Sequence, residues 1–267
     1  MRYDVNLSIL FTELPLLERP AAARAAGFDA IEFWWPFDVA QPDDQAVAAF
    51  VAAIEDAGVQ LVGLNFFAGD MPGGDRGVVS WPGREGEFKA SVDIAIGIAK
   101  KSGCRAFNAL YGNRIDGVDP AEQDAVAVEN LRFAADAAAA IGATVLIEPV
   151  SGAPKYPLLT AEHALAVIEK VGKPNVRLLA DLYHLSVNGD DVDAVIAAHT
   201  DQVGHVQIAD APGRNEPGTG ELELDNYLAA LEANGYAGYV GAEYKPSGAS
   251  ADSFGWLTTA STKEEQQ

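Results

Sequence analysis

The chain has 267 residues, of which 49% are hydrophobic and 21% are charged, and its formal net charge is −21. This composition excludes a mainly disordered chain, and the acidic balance argues against nucleic acid or an anionic membrane as partner, because Lys and Arg carry such binding. The single cysteine, Cys104, cannot form an internal disulfide, and neither a secretory leader nor an apolar run of about 20 residues is present, so we expect a cytoplasmic protein.

Short apolar runs rich in β-branched residues recur along the chain, as is typical of strands buried on both faces of a parallel sheet. They lie at residues 5–10, 30–34, 60–66, 106–111, 144–149, 176–181, 203–210 and 239–244. Between them are Ala-rich segments with helical spacing, at residues 16–27, 43–58, 85–103, 120–142, 160–172, 190–200, 224–235 and, more weakly, 250–260. Several of these segments end in glycine, the usual residue where a helix stops in the left-handed conformation.

Strict alternation of eight strands with eight helices predicts an α/β protein, with a single (β/α)₈ TIM barrel over residues 1–267 and no second domain. An open nucleotide-binding sheet would need a Gly-rich first turn, and the first turn here, FTELPLLERP, has none. The longest irregular segments, at residues 67–84 and 211–222, follow predicted strands. They therefore belong to the barrel face where active sites lie.

Four oxygen donors stand at or near the ends of the last four predicted strands: Glu148, Asp181, Gln207 and Glu243. They recur about once per βα unit, so they converge at the top of one half of the barrel if they share the lumen face. Any single carboxylate could be a capping or edge residue, but four in register on consecutive strands make that interpretation improbable. Clustered carboxylates repel unless a cation neutralises them, and all-oxygen ligation favours Mg²⁺ or Mn²⁺ over Zn²⁺.

Other polar residues are candidates for substrate binding around this site. His184 follows closely after Asp181 and is placed in the loop above the metal, although loop histidines are often surface residues. Arg214 lies in a Gly/Pro-rich loop after the seventh strand, where it could fix an anionic or hydroxylated substrate. Lys155 is a further candidate cation that could equally be a surface residue, and Asn65 at the end of the third strand could bond a hydroxyl group.

Several segments together resemble the hydroxypyruvate isomerase family of xylose-isomerase-like barrels. They include NLSILFTELP, LNFFAGD, WPGREGEF, HVQIADAPGRNEPGTGEL and GAEYKPSG, and the resemblance runs from about Asn6 to Trp256. In that family Glu, Asp, Gln and Glu hold the metal, and the two glutamates donate and accept the substrate proton. The resemblance implies these roles for Glu148, Asp181, Gln207 and Glu243, with Glu148 and Glu243 as catalytic residues. The loops after Glu148 and Asp181 depart from the family pattern.

These observations predict a metal-dependent aldose–ketose type isomerase that converts hydroxypyruvate to tartronate semialdehyde through an enediolate. A 2-oxo-tetronate isomerase and a ketose 3-epimerase remain alternatives, because the departing loops help to define the substrate. A metal-dependent endonuclease on the same barrel is more remote, since it needs His-rich ligation and a basic groove, whereas this chain has four His and a net charge of −21. A catalytically dead binding protein is disfavoured by the intact donor set. The expected partner is a small sugar acid, and the sequence leaves open whether the chain forms a homo-oligomer.

Overall fold

The structure is a computed structural model and describes residues 1–257. Its strands pair in chain order, each parallel to the next, and the first pairs with the eighth, so that the barrel closes. The predicted (β/α)₈ TIM barrel is thereby confirmed. The strands are β1 (Arg2–Asn6), β2 (Ala30–Phe33), β3 (Gln60–Asn65), β4 (Ala106–Asn108), β5 (Thr144–Ile147), β6 (Val176–Asp181), β7 (Val203–Ile208) and β8 (Tyr239–Ala242).

The helices of the described residues surround this barrel. They are α1 (Arg19–Ala25), α2 (Asp44–Ala57), α3 (Glu85–Ser102), α4 (Pro120–Ala139), α5 (Ala161–Val171), α6 (Leu182–Asn188), α7 (Val192–His199) and α8 (Leu224–Ala233). Side chains of Asp43, Asp119 and Thr160 cap the N-termini of α2, α4 and α5. None of the helices in residues 1–257 has the length and apolar character that crossing a bilayer requires.

Local details differ from the sequence prediction in three places. The first strand is β1 (Arg2–Asn6) and not residues 5–10, because the Asn6 side chain accepts from the amide of Ser8 and turns the chain there. Helix α6 replaces the loop predicted around His184. The predicted last helix, residues 250–260, reaches beyond the described residues, and its described part begins with the short 3₁₀ turn Ser250–Asp252.

Apolar side chains fill the layer between the strands and the helices, while the barrel lumen is partly polar. The Glu32 carboxylate lies in the lumen between β3 and β8, where two glycines give it room. A Cβ on Gly63 would lie 2.9 Å from Glu32 Oε2, and a Cβ on Gly241 would lie 2.7 Å from Glu32 Oε1. Asp4 and His205 are also buried in this region, so the lumen below the strand ends carries ionisable groups that need partners.

Candidate active site

The four predicted donors are buried together at the C-terminal ends of β5 to β8. Asp181 is the last residue of β6 and is in register with Gln207 on β7, while Glu148 and Glu243 directly follow β5 and β8. Asp181 also caps α6, because its Oδ1 accepts from the amides of Tyr183 and His184 at 2.9 and 3.3 Å. The other oxygen, Oδ2, is thereby left for the site.

Two carboxylates and a histidine lie close together beside the pocket. Glu148, Asp181 and His184 each offer an atom within 4.8 Å of the others, and all three are buried. His184 Nε2 lies 3.6 Å from Asp181 Oδ2 and 3.9 Å from Glu148 Oε1. His184 thus adds a nitrogen next to the all-oxygen set predicted from the sequence.

Gln207 presents an amide oxygen without a partner in the described residues. Its Nε2 donates to Glu32 Oε1 at 2.7 Å, and this hydrogen bond fixes the orientation of the amide group. The opposite atom, Oε1, is fully buried and accepts no hydrogen bond. A buried acceptor of this kind costs about 1–3 kcal/mol unless a ligand satisfies it, so Gln207 Oε1 fits a hard cation.

Glu243 is held by donors from three separate loops and strands. Asn6 Nδ2 donates to its Oε2 at 3.1 Å, and Trp34 Nε1 donates to its Oε1 at 3.2 Å. Arg214 Nη2 lies 2.8 Å from Glu243 Oε1 and 3.4 Å from Asp181 Oδ2. The guanidinium of Arg214 therefore sits between two of the predicted metal donors and partly neutralises them.

Burial controls the protonation of the two glutamates. Burial, and then the charge of Asp181, raise the pKa of Glu148 to about 8. Burial also raises the pKa of Glu243 well above its usual range, although the charge of Arg214 opposes that shift. Glu148 can therefore hold and release a proton near neutral pH, and Glu243 keeps its proton to a higher pH than an ordinary glutamate does.

His184 is neutral in this environment, because burial lowers its pKa to about 4. Its Nδ1 accepts from the backbone amide of Ser151 at 3.0 Å, so the ring proton is assigned to Nε2. That nitrogen faces Glu148 and Asp181. The ring therefore directs one N–H into the site and is held in place by the segment that follows Glu148.

The predicted substrate residues are distributed unequally around a cavity of about 410 Å³. Asn65, His184 and Arg214 line this cavity with Glu148 and Glu243. Lys155 is not brought to it: its ammonium forms an exposed ion pair with Asp116 at 2.7 Å.

Two further lining residues, Trp34 and Arg76, were absent from the predicted set. Trp34 lies in the aromatic segment FWWPF, and aromatic residues at a strand end are more often part of the core.

A buried polar network supports the donors from below, and the sequence prediction missed most of it. Glu32 on β2 accepts from Asn6 Nδ2 at 3.1 Å as well as from Gln207, and its Oε2 lies 2.8 Å from His205 Nε2. The carboxylate of Glu32 raises the pKa of His205 against the effect of burial, to about 9. The signal that could have identified Glu32 is that it is the one polar residue in the apolar run at residues 30–34; Asn6 shares its run, residues 5–10, with Ser8.

Asn108, at the end of β4, completes the support of Glu148. Its Nδ2 donates to Glu148 Oε2 at 2.6 Å, and the same residue's Oδ1 is buried without a partner in the described part of the chain. Both glutamates are thus oriented by an asparagine amide, Glu148 by Asn108 and Glu243 by Asn6. Each pair joins neighbouring strands of the barrel.

The barrel topology agrees with a comparison to known families: the model of the family "Xylose isomerase-like TIM barrel" matches residues 20–260. The chain belongs to that family. A putative hydroxypyruvate isomerase of Streptomyces coelicolor is 57% identical over 265 residues, covering 96% of this chain and 95% of the relative. This relative confirms the resemblance to hydroxypyruvate isomerases.

Two other relatives differ in the activity that their names state. A 2-oxo-tetronate isomerase of Cupriavidus necator is 35% identical over 258 residues, covering 96% of this chain and 97% of the relative. A crystal structure from Brucella melitensis, described as AP endonuclease, family 2, is 35% identical, with a TM-score of 0.88 and coverage of 97% of this chain and 99% of that chain.

Proposed function

We propose that this chain is an isomerase of small hydroxy-oxo acids that requires one divalent cation and converts hydroxypyruvate to tartronate semialdehyde. The observation that carries the proposal is the pair Glu148 and Glu243, two buried glutamates with raised pKa values at one pocket. Isomerisation between neighbouring carbons needs a group that takes a proton and a group that returns one. The names of the Streptomyces and Cupriavidus relatives support an isomerase of this substrate class.

The residues at the strand ends fit a divalent cation. Glu148, Asp181, Gln207 and Glu243 would hold it, and the unsatisfied Oε1 of Gln207 is the feature that favours this assignment. Oxygen donors with one amide suit Mg²⁺ or Mn²⁺. When bound, the cation supplies Lewis-acid stabilisation of the charge that develops on substrate oxygens.

The chain's own residues handle the proton and the remaining charge. One glutamate removes the proton next to the carbonyl, and the other returns a proton to the adjacent carbon, so that an enediolate lies between the two steps. Asn108 and Asn6 hold the two carboxyls in place. The Nε2–H of His184 is a neutral donor beside Glu148, and the Arg214 guanidinium adds positive charge on the other side.

One alternative is favoured by a specific observation. A groove of about 1000 Å³ adjoins the pocket and shares Trp34, Asn65 and Met71 with it, which leaves room for a four-carbon 2-oxo acid. A ketose 3-epimerase would use the same proton chemistry. An endonuclease is disfavoured by the net charge of −21, which repels phosphates, so no nucleic acid partner is proposed. Cys104 is a free buried thiol, compatible with the cytoplasm, and a homo-oligomer is left open.

The test is turnover of hydroxypyruvate and of a four-carbon 2-oxo-tetronate by the parent and two variants, with Mn²⁺ present and after its removal. Glu148→Gln and Glu243→Gln keep the side-chain shape but cannot accept a proton, so each should nearly abolish turnover. The matched control is Glu122→Gln, which changes an exposed glutamate in the first turn of α4.

The origin of the transferred proton distinguishes the mechanisms. In D₂O the parent should place deuterium on the carbon that receives the proton, because a glutamate exchanges its proton with solvent. Complete retention of the substrate hydrogen, with substantial activity in both glutamine variants, would refute the two-glutamate scheme and favour a hydride shift.

A further inference from the structure

Arg76 is a cation of the pocket that the mechanism above does not use. It lines the same cavity as Glu148 and Glu243. Arg214, the other arginine there, is engaged with Glu243 and Asp181. Arg76 has no carboxylate partner within residues 1–257, although the sequence contains 39 acidic residues. Such a cation is available for an anion from outside the chain.

Backbone contacts hold Arg76 at this position. Its Nη1 donates to the carbonyls of Met71 and Asp75 at 3.1 and 2.6 Å, and its own carbonyl accepts from the amide of Gly112 at 2.9 Å. The next residue, Gly77, has a φ of +104°, and a Cβ there would lie 1.8 Å from the carbonyl oxygen of Leu110. Glycine therefore allows the loop after β3 to close against the segment after β4, which places Arg76 at the pocket wall.

The guanidinium retains free donors in this position. Its Nε and Nη2 make no hydrogen bond within the described residues, so three N–H groups, one on Nε and two on Nη2, remain for a ligand.

We infer that Arg76 binds the carboxylate of the substrate and selects acids over neutral hydroxy-ketones of the same size, an inference that rests on the proposed function for the reaction itself. A substrate carboxylate that enters this pocket needs a charged donor of its own, because the guanidinium of Arg214 is engaged with Glu243 and Asp181. A guanidinium matches a carboxylate with paired hydrogen bonds, which an ammonium cannot reproduce. The carbonyl and hydroxyl ends of the substrate would then lie toward the two glutamates.

Kinetics test the assignment with three variants. Arg76→Met should raise the KM for hydroxypyruvate by about 10- to 100-fold and leave kcat largely unchanged, because the lost contact is the same in the ground state and the transition state. Arg76→Lys keeps the charge and should recover part of this loss. Arg114→Met is the control, since Arg114 lies on the next loop and pairs with Asp124 at 2.8 Å. An unchanged KM in Arg76→Met would overturn the inference.

A binding measurement separates this inference from the proposed reaction. Calorimetry with the Mn²⁺-loaded protein compares D-glycerate with glycerol, which has the same carbon skeleton without the carboxylate. The parent should bind glycerate more tightly, and Arg76→Met should lose about 10- to 100-fold of that preference. If the parent binds glycerate through Arg76 but does not isomerise hydroxypyruvate, the role of Arg76 in binding a carboxylate is supported and the proposed function is refuted. The inference about Arg76 would be overturned if the parent showed no preference for glycerate over glycerol, or if Arg76→Met kept that preference.

Discussion

Raising the pH of the metal-free protein should destabilise it, because Glu148 holds a proton in the folded state that it has lost in the unfolded state. Its pKa is raised to about 8 by burial and by Asp181. The contribution to stability is complete below the unfolded pKa of about 4.5 and is lost as the pH rises through the folded pKa. Each extra proton held by the folded state corresponds to a loss of about 1.4 kcal/mol per pH unit.

The useful window lies between about pH 6.5 and pH 8, where other groups do not oppose this slope. His184 has a pKa lowered to about 4, so its contribution to stability grows with pH and is complete once the unfolded histidine is neutral. His205 has a pKa raised to about 9 and loses stability in the same window as Glu148. Urea unfolding at several pH values in metal-free buffer gives the free energy of unfolding.

Glu148→Gln provides the comparison, because glutamine cannot titrate. Its free energy of unfolding should fall by about 1.4 kcal/mol per pH unit less than that of the parent. Adding Mn²⁺ at 100 times its Kd at pH 6.5 should stabilise the parent by about 2.7 kcal/mol at that pH. The same Mn²⁺ concentration should give a larger gain at pH 8, because the cation displaces the proton and its Kd falls as the pH rises. Equal slopes for the parent and Glu148→Gln would refute this account of the buried carboxyl.

Three further predictions concern single residues of the site. Asp181→Ala should weaken Mn²⁺ binding in calorimetry and cost about 1 kcal/mol of unfolding free energy from the lost cap of α6; binding as tight as in the parent would contradict the metal assignment. Glu32→Gln removes the charge opposite His205 and should destabilise the protein by about 3 kcal/mol and weaken Mn²⁺ binding, because the amide of Gln207 is no longer fixed; unchanged Mn²⁺ affinity would count against this support. Arg214→Met should lower kcat/KM by about 1.5–3 kcal/mol per charged hydrogen bond lost; unchanged kinetics would remove Arg214 from the site.

The barrel itself could be predicted from the sequence, because parallel strands buried on both faces give short, nearly continuous apolar runs. Several of the helices between them end at glycines, which mark the helix ends. The bounds of short helices and strands were harder to predict. Helix α6 was missed, although Asp181 as its N-cap and Gly189 as its left-handed C-cap were visible signals. The predicted first strand extended beyond Asn6, where the structure ends it. The chain turns there because the Asn6 side chain accepts a hydrogen bond from the amide of Ser8, a local contact that the apolar pattern does not show.

The donors of the candidate site were predictable for the same reason as the barrel, since strand ends converge by geometry. Loop side chains were not, because their direction depends on partners far away in the sequence. Lys155 pairs with Asp116, 39 residues earlier, and so leaves the pocket. Arg76 enters the pocket wall because Gly77 packs against Leu110, a contact that no periodicity reveals.

The residues of the candidate site come from both halves of the barrel. All four proposed metal donors lie at or directly after the C-terminal ends of β5 to β8, whereas Trp34 directly follows β2, Asn65 ends β3 and Arg76 lies in the loop after β3. On the proposed assignments, the metal donors therefore lie in the later half of the chain, whereas Arg76, inferred to bind the substrate carboxylate, lies in the earlier half. Replacing the loop after β3 would then change which acid is accepted without altering a proposed metal donor. Hydrogen bonds between the two halves limit this independence. Gln207 donates to Glu32 through the lumen, Asn6 and Trp34 donate to Glu243, and Asn108 donates to Glu148.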